Sequence, residues 1–383
     1  MTTLNWTDNA LRDPRLSEHK PWREAISPEA MQRARHDIAA WPGYAPTPLR
    51  RLDRLAAELG LGAIAYKDEG GRFGLGSFKA LGGAYAVQRL VAEADGRPLT
   101  VICATDGNHG RAVAWGARQF GASAVILIHA QVSEGRKQAI EAFGARVVRV
   151  DGNYDESVRE AQRLADEHGW VVVSDTSYEG YEDIPGMVMQ GYTVMAHEAV
   201  EQCAGLGGPP SHVFLQCGVG GFAAAVIAQT GELLAPDLPA FVAVEPEAAA
   251  CVVASLREQR PSAVEGELET LMAGLSCGEI SAVAWRILAP ALTGAMTVPE
   301  AMVPEAMRGL ADGLWSDEPV IAGESAVAGL CGLIAAARDE GLRDRLGLGA
   351  DSRVLLFGTE GATDAALYAD IVGRSADEVA GRS

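Results

Sequence analysis

Residues 99–128 read LTVICATDGNHGRAVAWGARQFGASAVILI. An apolar run of strand type, LTVICA, leads through a short polar turn into a segment of helical composition from Asn108 to Phe120. Gly121 closes that helix, since glycine accepts the left-handed conformation that ends one, and a second apolar run, SAVILI, follows. The unit then repeats. A helix over 134–143 ends at Gly144 before RVVRV, and one over 155–168 ends at Gly169 before WVVVS. Three successive β-α units with mostly apolar strands predict a parallel sheet covered on both faces.

On the N-terminal side, Leu52, Leu55 and Leu59 share one helical face, Gly60 is placed to end that helix, and a short strand begins at Ala63. Residues 1–46 are polar and proline-bearing; they read as an arm, with order expected from Thr47. On the C-terminal side, the strand HVFLQC, the glycine turn after Cys217, a helix over 222–234 and the strand FVAVE make a further β-α-β unit. RVLLF at 353–357 is a late strand.

The chain has 383 residues, 48% hydrophobic and 22% charged, which suffices for a large core and excludes disorder and collagen. Its 51 acidic and 32 basic side chains leave a formal charge of −19, which argues against nucleic acid as a partner. Cys103, Cys203, Cys217, Cys251, Cys277 and Cys331 show no C-x-x-C pair, and the seven histidines no zinc-type spacing, so no metal is expected. The polar start and the lack of any apolar run of about 18 residues lead to the expectation of a cytoplasmic protein with free thiols and no membrane span.

Three glycine-bearing turns could carry chemistry. In Gly74-Leu-Gly-Ser-Phe-Lys79 a lysine stands just before a helix. Burial there disfavours the ammonium form, lowers the pKa and frees the amine for attack on a carbonyl. From the hexapeptide alone, a solvated lysine on a first helical turn is the simpler reading. In Ala104-Thr-Asp-Gly-Asn-His-Gly110 the unpaired N–H groups of a helix start suit a carboxylate, although Asp106 or Asn108 could merely cap the helix. In Cys217-Gly-Val-Gly-Gly-Phe222 backbone amides could cradle a phosphate. The spacing Gly218-x-Gly220-x-x-Ala223, with Glu245 ending the next strand, also approximates a dinucleotide site and keeps a nicotinamide dehydrogenase open as a rival.

Taken in order, Thr47-Pro-Leu49, Ser77-Phe-Lys79, Gly107-Asn-His109 and Gly218-Val-Gly-Gly221, with Glu245-Pro246 following, resemble the fold-type II pyridoxal-phosphate enzymes. Arg72-Phe-Gly-Leu75, the Thr105-Asp-Gly loop, Asp175-Thr176 with Glu179-Gly-Tyr181, and Gly274-Leu-Ser-Cys-Gly-Glu279 resemble in particular the diaminopropionate ammonia-lyase family. The resemblance runs from about Thr47 to Asp364. It implies an α/β fold of two lobes, each with a mostly parallel twisted sheet flanked by helices. Residues 97–178 would form the small substrate-side domain. Residues 1–96 and 179–383 would form the large cofactor-binding one, with 1–46 as its arm.

The resemblance further implies pyridoxal 5'-phosphate as cofactor, carried by Lys79 with Phe78 beside the ring. Gly218, Gly220 and Gly221 would hold the phosphate, with Val219 and Phe222 among the cofactor-binding residues. Asn108 would contact the ring hydroxyl, and Thr359 would face the pyridine nitrogen. Main-chain amides of the loop Thr105, Asp106, Gly107 and Asn108 would bind the carboxylate of a small amino-acid substrate. Asp106 and Asp175 are the carboxylates available for proton transfer, with Asp175 also near the substrate. The implied reaction is α,β-elimination of 2,3-diaminopropionate, D or L, to pyruvate and two ammonia. Gly76-Ser77 departs from that family's wording and keeps serine, threonine or 3-hydroxyaspartate dehydration as an alternative. A non-catalytic ligand-binding protein is a third reading, and a homodimer is expected.

Overall fold

The computed structural model describes residues 5–105, 107–130, 132–152 and 154–381, apart from the side chains of Tyr154, Asp155 and Leu206. Its strands are β1 (Trp6–Asp8), β2 (Leu49–Arg51), β3 (Ala63–Asp68), β4 (Thr100–Ala104), β5 (Ser123–His129), β6 (Arg146–Val150), β7 (Val171–Val172), β8 (His212–Gln216), β9 (Ala240–Pro246), β10 (Gly294–Val298) and β11 (Arg353–Gly358).

The β-α units read from residues 99–128 onward build a four-stranded sheet in the order β6-β5-β4-β7, parallel throughout. The helix Asn108–Phe120 has the bounds read from the sequence, and Gly121 ends it at φ 81°. The helices after β5 and β6 span Glu134–Glu141 and Tyr154–His168. A second sheet of seven strands runs β1-β10-β9-β8-β11-β3-β2. Its five inner strands are parallel, and β1 and β2 close the edges antiparallel. The late strand RVLLF is central to it, paired with β3 on one side and β8 on the other. Both faces of the inner strands are buried, which explains why their sequences are apolar without alternation.

Order does not begin at Thr47. The residues before it supply the edge strand β1 and the helix Pro28–Ala39, and Trp22, Ile26 and Ile38 are fully buried. A few large side chains anchor a segment whose average composition is polar; the six-membered ring of Trp22 packs where a Cβ on Gly231 would stand.

Behind Lys79 lies a buried charge network. Lys67 Nζ is 2.7 Å from Glu198 Oε2, and Arg72 Nη2 is 2.8 Å from the same atom and 2.7 Å from Glu69 Oε1. Thr47 Oγ1 donates to Glu69 at 2.5 Å. Two motifs that carry the family resemblance, at Thr47 and Arg72, therefore lock the chain that leads to the lysine loop.

The helices Lys79–Ala94 and Asp183–Cys203 cross where Gly82 and Gly191 meet. A Cβ on Gly191 would collide with the Leu81 carbonyl oxygen, and one on Gly82 with the Tyr192 ring. This crossing brings Tyr192 beside the head of the lysine helix. Among the described residues no helix is long and apolar enough to cross a membrane.

Candidate active site

The carboxyl ends of β4, β7, β8 and β11 face one cavity of about 880 Å³, the place where parallel sheets bind ligands. Phe78, Lys79, Thr105, Gly107, Asn108, Asp175, Gly218, Val219, Gly220, Gly221, Phe222 and Thr359 all line it. Asp106 lies outside the described residues. A second cavity of about 560 Å³, beside Arg35, Tyr44 and His197, contains none of these residues.

Lys79 opens its helix and its Nζ lies 2.5 Å from Asp175 Oδ2, with both side chains about one-fifth exposed. The nitrogen also sits 5.4 Å from the Phe78 ring centre and 6.0 Å from that of Tyr192. Burial disfavours the ammonium, but the Asp175 carboxylate more than offsets it, and the net direction is upward. The expected lowering of the Lys79 pKa is thus corrected: a partner 96 positions away in sequence reverses it. Burial likewise opposes the charge on Asp175, and Lys79 then draws its carboxyl well below the usual carboxylate range.

His109 is buried and donates Nε2–H to the Val173 carbonyl at 2.9 Å, which leaves Nδ1 as an acceptor 4.0 Å from Asp175 Oδ2. Burial holds its pKa down despite the nearby carboxylate, so the ring is neutral. The bond to Val173 fixes the chain two residues before Asp175.

The Thr105 loop differs in one respect from expectation. Thr105 Oγ1 accepts from the N–H of Gly107 at 3.0 Å and of Gly110 at 3.1 Å, and Thr105 N donates to Leu127 O at 3.0 Å. The amides of Thr105 and Gly107 are therefore used within the protein. Asn108 and His109, as first helical residues, have no intrahelical acceptor for theirs.

The turn after β8 heads the helix Gly221–Leu234, whose N-cap Gly220 has φ 87°. The left-handed conformation of Gly220 is what demands glycine, since the nearest atom to a Cβ there is the movable end of Leu288, at 2.8 Å. Phe222 packs edge-on against Phe78 and Phe357 at 5.2 and 5.5 Å. Gln216 Nε2 donates to Thr359 Oγ1 at 2.9 Å, which leaves the Thr359 hydroxyl hydrogen available to another acceptor.

Glu245 does not serve a ribose. It is fully buried, and its two carboxyl oxygens accept the N–H groups of Val252 and Val253 at 2.7 and 2.8 Å, at the start of the helix Cys251–Glu258. The structure adds residues that the sequence reading passed over: Tyr192, Arg136, Glu324 and Glu360 line the same cavity. Glu360 directly follows Thr359 and was within reach of a closer reading. Glu324 and Arg136 stand in segments with no local signal.

Fold and site together define the class, a pyridoxal-phosphate dependent enzyme, and the model of that family matches residues 40–358. The chain is 40% identical over 350 residues to the diaminopropionate ammonia-lyase of Escherichia coli (strain K12), an alignment covering 86% of this chain and 88% of that protein. The crystal structure of the Escherichia coli diaminopropionate ammonia lyase in complex with an aminoacrylate-PLP azomethine reaction intermediate superposes with a TM-score of 0.88 at 37% identity, covering 97% of both chains. The biosynthetic L-threonine dehydratase of Escherichia coli matches at 30% identity over 56% of this chain and 38% of its own length. The chain belongs to the diaminopropionate ammonia-lyase family.

The residues present fit the family's cofactor. An amine for its aldehyde and a glycine-headed helix start for its phosphate face one cavity, and a Cβ on Gly218 there would press against two other lining residues, at 3.1 Å from Cys277 Sγ and 3.3 Å from the Gly274 carbonyl oxygen.

Proposed function

We propose that this protein removes ammonia from 2,3-diaminopropionate by α,β-elimination. Aminoacrylate leaves and water converts it to pyruvate and a second ammonia. The observation that carries the reading is the Lys79–Asp175 pair, 2.5 Å apart, in the cavity that also holds the glycine-headed helix. Lys79, Phe78, Asn108, the turn of Gly218, Val219, Gly220 and Gly221, Phe222 and Thr359 would hold pyridoxal 5'-phosphate. That group, when bound, supplies the electron sink that makes the substrate α-hydrogen acidic.

The protein's own residues do the rest. The N–H groups of Asn108 and His109 bind the substrate carboxylate at a helix start. Lys79 Nζ takes the α-proton of one enantiomer, and Asp106, in the adjoining loop of the sequence, serves the other. Amines leave poorly unless protonated, so Asp175 guides a proton from Lys79 to the departing β-nitrogen. Residues 97–178 act as the substrate-side domain against 1–96 and 179–383, and a cytoplasmic homodimer is the assembly we assign; sedimentation and fractionation test it.

Purified enzyme loaded with cofactor is incubated with D- and L-diaminopropionate, serine, threonine and 3-hydroxyaspartate, and pyruvate or oxobutyrate is measured. Diaminopropionate turns over fastest if the reading holds. Faster turnover of a hydroxy amino acid would move the protein to the dehydratases. Borohydride labelling on any residue other than Lys79 would remove the site assignment.

A further inference from the structure

We propose that Glu360 is a positioning residue that orients the Asn108 amide toward the cofactor site and ties the Lys79 loop to the start of the small-lobe helix. This rests on the assignment of Asn108 to the cofactor-facing set made above.

Glu360 is buried, about 5% exposed. Its Oε2 accepts Asn108 Nδ2 at 2.5 Å and Thr363 Oγ1 at 3.3 Å, and its Oε1 accepts Ser325 N at 3.1 Å. An ionised carboxylate only accepts, so it dictates that the amide nitrogen of Asn108, and not its oxygen, faces it. One amide hydrogen is used, and the other remains on a side chain that lines the cavity. The main chain of the same segment is stitched to the lysine loop. Phe78 N donates to Thr359 O at 3.0 Å, Gly361 N to Gly76 O at 2.9 Å, and Ser77 pairs with Glu360 in an isolated bridge. One residue thereby joins the segment just before Lys79 to the residue that opens the Asn108 helix.

A second buried acid, Glu324, lies beside this carboxyl group. Burial, reinforced by the charge of Glu360, pushes Glu324 up to about 8, so at neutral pH it is Glu324 that keeps a proton. Arg136, from the helix Glu134–Glu141, stands 3.6 Å from Glu324 Oε1 and 3.6 Å from Asp364 Oδ2.

The test uses the holoenzyme, with the visible absorption band of the bound cofactor and its retention on dialysis as readouts. Glu360→Gln keeps the shape but presents either a donor or an acceptor. It should shift the band in the same direction as Asn108→Ala and weaken retention about tenfold, the scale of one charge-assisted hydrogen bond. In the Asn108→Ala background it should add nothing. Asn108→Asp sets two carboxylates face to face and should be worse than Asn108→Ala, and combining it with Glu360→Gln should restore retention, because the new amide can donate. An equal Glu360→Gln effect in both backgrounds, or none where Asn108→Ala shifts the band, overturns the proposal and leaves the proposed reaction standing. A band unmoved by Asn108→Ala overturns the role of Asn108 and this inference together. Should Glu360→Gln fail to fold, Asn108→Asp decides alone: retention no poorer than in Asn108→Ala refutes the proposal.

Discussion

Replacing Asp175 by asparagine keeps the shape of the side chain and removes the charge 2.5 Å from Lys79 Nζ. Two unit charges at that separation attract by about 7 kcal/mol at an effective dielectric constant of about 20, an upper bound on what the pair can lose. With the carboxylate gone, burial alone acts on Lys79, so its pKa moves down and more of the amine is uncharged at neutral pH. Capture of the cofactor survives this change. Delivery of a proton to the leaving β-nitrogen does not. Loss of one proton-transfer partner slows a reaction about 10²–10⁴-fold, or about 2.7–5.4 kcal/mol, which lies within the bound. The assay is the rate of pyruvate formation at saturating diaminopropionate, with borohydride labelling of Lys79 as the control for cofactor attachment. A variant that labels at Lys79 yet loses less than tenfold in rate refutes the role given to Asp175.

Glu198→Gln takes the shared carboxylate from Lys67 and Arg72, both essentially unexposed, and should cost about 3–5 kcal/mol in urea unfolding. Arg72 and Lys67 hold the Glu198 carboxyl below its ordinary range against the opposing effect of burial, so its contribution is complete above about pH 4.3 and fades as pH falls through the lowered value; the variant should lack that acid-side loss. Burial pushes Glu245 up to about 8, so the folded protein keeps a proton that the unfolded chain has released, and this group's contribution falls as pH rises from about 4.3 to 8. Thermal melts of Glu245→Gln across that window should show a shallower decline than the parent, and identical slopes would contradict it. Asp106→Asn should abolish turnover of D-diaminopropionate and retain much of that of the L isomer, and equal loss on both in a coupled pyruvate assay would refute the two-base idea.

The order of strands and helices around residues 99–172 was legible because each strand is a compact apolar run and each helix ends on a glycine. The N-terminal segment was not, since its anchoring rests on single large residues such as Trp22 rather than on a period. Glu245 was misleading for a related reason. A strand-terminal acid looks alike whether it meets a ribose or caps the next helix, and only the positions of the Val252 and Val253 amides distinguish the two.

By itself the sequence determined what local rules govern: the alternation of strand and helix, the glycine turns, the type of each reactive group and the family they point to. The tertiary structure alone decided how those groups act on one another. Lys79 and Asp175 meet across 96 positions, and Asn108 and Glu360 across 252, by routes that depend on helix crossings such as that of Gly82 with Gly191. The proton affinity of a buried amine is set by the charge beside it, and which charge that is follows from the packing of distant segments, which no local pattern encodes.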